Sequence, residues 1–95
     1  MTKEELEKII VKANPILKPT NTKKFEATVE EPKDGVFPIR FEFLITDTEY
    51  KKLDQLKNLK FANMFFSHFV KQNLLNYFGV HVKIKSSKLT KIGQL

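Results

Sequence analysis

The chain has no cysteine. Disulfides, thiolate metal ligands and cysteine nucleophiles are therefore excluded. Its three glycines are isolated, which leaves no glycine-rich loop to cradle a phosphate. His68 and His81 are the only imidazoles, and neither has a carboxylate close by in sequence. Ser86 and Ser87 precede Lys88, but nothing there pairs a nucleophile with a base. These gaps point away from an enzyme, and no metal, cofactor or small-molecule substrate is expected. No apolar run approaches the ~20 residues of a membrane span. The opening MTKEELEKII lacks the apolar core of a signal peptide. A cytoplasmic protein with no membrane partner is the expectation.

Arginine is nearly missing as well. Of 17 basic residues only Arg40 is an arginine. Lysine is a flexible point charge, whereas arginine is a planar fork that reads guanine edges and phosphates bidentately. A lysine surface suits phosphate contact that ignores sequence.

At 95 residues, 41% hydrophobic and 29% charged, the chain has the composition of a folded protein and the length of one small domain. Its charge is unevenly spread. Residues 1–49 hold eight basic and ten acidic side chains, a net of −2, while residues 50–95 hold nine basic side chains against Asp54 alone, a net of +8. Such asymmetry suggests a face for a polyanion, although solubility alone can account for surface lysines.

Hydrophobic spacing outlines the elements. Residues 3–13 read as a helix, with Thr2 and Glu5 at capping-box spacing and an apolar stripe of Leu6, Ile9, Ile10 and Ala13. Pro15 and Pro19 stop it, and Ile16 and Leu17 are expected to tuck the linker onto the core. Residues 23–30 alternate, with Phe25, Ala27 and Val29 on one side. Residues 36–46 alternate again through Phe37, Ile39, Phe41, Phe43 and Ile45. With EPKDG between them, the two runs make a hairpin. Pro38 lacks an N–H and is expected at an edge or a bulge. TDTEYKKLDQLKN starts a helix, and the aromatic stretch 61–78 forms another or continues it in bent form. Gly79 ends that stretch. Residues 80–86 read as a third strand, and 86–95 as a basic C-terminal tail with Leu89, Ile92 and Leu95 at helical spacing.

The expected fold is α+β: a two-layer domain over residues 1–95, in the order α-β-β-α-α-β. Helices pack on a three-stranded, mainly antiparallel sheet whose last strand runs parallel to the second. On the aromatic helix, Ala62, Phe65, Phe66, Phe69, Val70 and Tyr77 fall on one arc, expected to cover the sheet. Met64, Leu74, Leu75 and Phe78 lie off it. They are covered within the chain, or they form a homodimer or protein interface.

The leading expectation is a small accessory nucleic-acid-binding protein. It would hold DNA or RNA phosphates through Lys83, Lys85, Lys88 and Lys91, aided by Lys51, Lys52, Lys57 and Lys60, with His81 on the face of Lys83 and Lys85. The alternative is a non-enzymatic modulator that docks on a protein, such as an acidic surface, through the aromatic helix or a sheet edge, as regulators or inhibitors of phage or plasmid type do.

Overall fold

A computed structural model describes residues 1–20 and 22–92. Its elements are α1 (Lys3–Lys12), α2 (Asn14–Leu17), β1 (Lys24–Val29), β2 (Val36–Ile45), α3 (Asp47–Gln55), α4 (Leu59–Phe78) and β3 (His81–Lys91). The fold is α+β in the expected order, apart from the added single turn of α2. The sheet is mixed, in the order β1-β2-β3: β1 pairs antiparallel with β2, and β3 pairs parallel with it along a longer ladder.

Local chemistry sets the boundaries. The Thr2 hydroxyl accepts the Glu5 N–H at 3.1 Å, and the Glu5 carboxylate accepts the Thr2 N–H at 3.1 Å, closing the capping box. These bonds from Thr2, backbone first, hold the Glu5 carboxyl below its ordinary value. Thr46 caps α3 by accepting the Glu49 N–H at 3.2 Å. Lys57, at φ 55°, breaks the chain between α3 and α4, which are separate helices rather than one bent helix. Gly79, at φ 67°, supplies the left-handed turn that ends α4.

The hairpin follows the expected register. Asp34 and Gly35 both take positive φ, and Lys33 and Val36 exchange backbone bonds of 2.9 and 3.0 Å across them, which is the two-residue turn that matches strand twist. Phe25, Val29, Phe37, Ile39, Phe41, Phe43 and Ile45 are buried on one face under the helices. Phe43 lies 6.1 Å from Phe25, 5.8 Å from Phe41 and 5.5 Å from Phe66 of α4 between ring centroids, so it joins both layers.

Four expectations are corrected. Pro38 lies in the central strand, paired with Lys83 of β3; on its other side, just past the last rung of the β1 ladder, its carbonyl accepts the Glu30 N–H at 2.9 Å. Only one bond is forfeited there. Residues 86–91 are not a tail but the second half of β3, reached through a register shift. Ile84 pairs with Ile39 and Ser86 with Arg40, leaving Lys85 as a bulge. Leu95 lies outside the described residues. Leu17 is fully buried, but Ile16 is exposed, because adjacent residues of one helical turn point about 100° apart.

The fourth correction is α4. Its sheet face is the row Ala62, Phe66, Val70, Leu74, with Ser67 beside it. Phe65 and Tyr77, expected on that face, are exposed, and so is Phe61; Phe69 is half-buried.

Candidate nucleic-acid interface

β3 is an edge strand, and its two halves present lysines differently. Before the bulge, Lys83 pairs with Pro38 and so shares the uncovered face of the sheet with His81, the partner of Val36. Lys85 is the bulged residue itself. After the bulge, Lys88 pairs with Glu42, again on the uncovered face. Lys91 pairs with Ile45 and turns to the helix side, where its ammonium sits 5.0 Å over the Tyr50 ring of α3. Lys51 and Lys52 lie on α3, Lys57 in the α3–α4 link and Lys60 in the first turn of α4; all are exposed.

The expected lysines thus fall into two groups. Lys83 and Lys85, with His81 at the start of the strand, line its first half. Lys60 and Lys88 meet at the other end, where α3, α4 and β3 adjoin and Lys91 covers Tyr50. There they line a small hollow of about 250 Å³ with Tyr50, Asn63 and Leu89. His81 and Lys91 are ten residues apart along β3, or roughly 33 Å, so one short phosphate run cannot touch both.

Lys88 is not a free cation. Its ammonium lies 2.9 Å from Glu42 Oε2, which also accepts the Thr90 hydroxyl at 3.2 Å. The Lys88 hydrogen bond, helped by the charge of Lys88 and by Thr90, holds the Glu42 carboxyl below its ordinary value against the opposing effect of desolvation. Glu42, Glu26, Arg40 and Lys88 line a polar hollow of about 380 Å³ on the uncovered sheet face with Thr28 and Ser86. Two carboxylates and two cations cancel there. Lys24 pairs with Glu26 at 3.5 Å and Arg40 with Glu30 at 3.3 Å, both substantially exposed, so they add little stability but neutralise this region. The uncovered face is therefore neutral over the hairpin and basic only toward β3.

Of the expected interface residues, Leu74 is fully buried and unavailable; it belongs to the sheet-facing row of α4. Leu75 and Phe78 are half-buried, and Phe78 packs against the core. Met64 is exposed. Sequence reasoning missed Phe61 and Phe65, which are 72% and 59% exposed. Ala62 and Ser67 carried the missing signal: small residues mark where a helix approaches its neighbour closely, and they lie on the true buried face.

Among the described residues, no three histidine, aspartate or glutamate side chains group as a metal site, and no helix is long and apolar enough to cross a membrane. Comparison with known protein families, characterised proteins and solved structures finds no match.

Proposed function

We propose that the protein binds nucleic acid through phosphates, without reading sequence, using the lysines of β3 and of the α3–α4 end, and that it acts inside the cell. One observation carries this reading. Of the nine lysines in residues 50–95, Lys88 alone has a carboxylate partner among the described residues. The other eight are left to solvent or, for Lys91, to an aromatic ring. Arg40, the one side chain able to read a guanine bidentately, is held by Glu30. Lysines that neutralise phosphates displace the counterions condensed on them, and that release supplies affinity with no sequence preference.

The test is a salt titration of binding to mixed-sequence DNA and RNA. Log affinity should fall linearly with log salt, and Lys83→Glu with Lys85→Glu should weaken all sequences equally and flatten the slope. Lys3→Glu with Lys8→Glu on α1 should matter less. No binding at about 50 mM salt, the low end of the range where phosphate contacts are strong, would remove the reading. The exposed Phe61, Met64 and Phe65 favour a second reading, a protein partner docked on α4. Such binding would persist at high salt.

A further inference from the structure

The exposed face of α4 is more ordered than a scatter of apolar residues. Phe61, Phe65 and His68 stand at positions i, i+4 and i+7, all exposed, with Met64 beside them. At 1.5 Å per residue the rings are spaced by about 6 Å and then about 4.5 Å along one line. Phe65 is braced from behind by the buried Phe66, edge to face at 6.3 Å between centroids. A second row runs alongside through Lys60, Met64 and the half-buried Lys71. Lys57 precedes both rows, and α4 holds no acidic residue.

This arrangement selects among occupants. A second copy, packed two-fold on the same face, would bring Lys60 and Lys71 against like charges with no carboxylate on the helix to relieve them. A wholly apolar partner would leave the lysine row unused. A strand of unpaired nucleotides uses both rows at once: every base has a π-face to lay on a ring, and every linkage carries one phosphate for a lysine. We infer that the nucleic acid bound by this protein is single-stranded, with bases stacked on Phe61 and Phe65 and phosphates held by Lys57, Lys60 and Lys71. The inference rests on the phosphate-binding reading above and adds the strandedness and the residues that select it.

Binding of labelled oligo-dT and oligo-U of about 15 nucleotides, a length near the upper site size of single-strand binders, is compared with a mixed-sequence duplex of the same length. The single strands should bind more tightly. Phe61→Leu with Phe65→Leu keeps apolar bulk but removes the rings. It should weaken single-strand binding by about five- to a hundred-fold per lost stack, leaving duplex binding and the salt slope unchanged. Both side chains are more than half exposed, so the fold should be retained, as far-UV circular dichroism will report. Equal affinity for single strands and duplex, with the leucine variant indistinguishable from the parent, overturns the inference while leaving phosphate binding intact. So does a dimer in sedimentation equilibrium that Phe61→Ala with Phe65→Ala dissociates. If neither the single strands nor the duplex binds at low salt, both readings fall.

Discussion

The two edges of the sheet solve the same problem by different means. An edge strand presents unpaired N–H and C=O groups that can recruit another strand. At the β1 edge, the Asn14 side chain donates from Nδ2 to the Phe25 carbonyl at 2.8 Å and accepts the Phe25 N–H on Oδ1 at 3.3 Å. One amide thus occupies both bonds that an incoming strand would make at that residue. At the β3 edge, Asn63 donates to the Ser87 carbonyl at 2.7 Å, but its Oδ1 is buried with no partner. Charge does the rest there, through Lys83, Lys85, Lys88 and Lys91. A plugged edge needs no field, whereas a charged edge keeps strands away by repulsion and leaves its lysines in solvent.

The largest loss is expected from the central strand. Phe43 belongs to the strand between the two edges and touches both β1 and α4 through aromatic contacts. Phe43→Ala should cost ~3–5 kcal/mol, a large share of the ~5–15 kcal/mol a domain possesses. Urea unfolding should show little folded protein; a loss under about 1 kcal/mol, far below that usual cost, would mean the rings are not the joint between layers.

The two asparagines come next in expected effect. Asn14→Ala strands a backbone donor and acceptor, with an expected loss of about 1–3 kcal/mol and concentration-dependent self-association seen by light scattering. Asn63→Ala removes one bond and one unpaired oxygen together, so its cost should be the smaller. The reverse ranking in chemical denaturation would contradict the plug. Neutralising the charged edge, by Lys83→Thr with Lys85→Thr, should leave stability within about 0.5 kcal/mol, as for most surface changes, yet raise aggregation on mild heating. Unchanged light scattering would deny the lysines that protective part.

The smallest effect concerns Lys88, the one lysine of residues 50–95 with a carboxylate partner among the described residues. Glu42 titrates below its ordinary value because of Lys88. A carboxylate lowered in the folded state contributes stability that is present above its unfolded pKa and fades as pH falls through its folded pKa. Lys88→Ala should shift the Glu42 titration upward in carbon-detected NMR and weaken that acid dependence. It should also perturb polyanion binding less than the Lys83 and Lys85 changes, since Lys88 already has a partner.

Legibility in the sequence followed the regularity of the spacing. The hairpin was readable, the place of Pro38 apart, because Phe25 through Val29 and Phe37 through Ile45 alternate without interruption, and DG supplies the turn. β3 was readable only to residue 86. The bulge at Lys85 shifts the alternation by one, so Ser87 and Leu89 take the covered face in place of the residues that an unbroken pattern assigns. On α4 the rows of Phe61 and Phe65 and of Ala62 and Phe66 lie about 100° apart, and the bulky rings outweighed the small residues that mark the true contact. The lysines were legible as a charge, but not as two groups. Their division depends on the bulge and on the Glu42 partner, which only the cross-strand register brings together.

The parallel pairing of β3 also governs the order of assembly. Val29 and Ile39 are ten positions apart in the chain, whereas Val36 and His81 are forty-five apart. Closing the longer segment costs about 1.3 kcal/mol more in chain entropy, and it must wait for α3 and α4. The hairpin is thus placed to form in the folding transition state and β3 to dock after it. In native-state hydrogen exchange β3 should open at lower free energy than β2, and its mutations should speed unfolding more than they slow folding. The lysine-bearing strand would then be the last piece of the sheet to arrive, so that its basic surface exists only once the rest of the domain is complete.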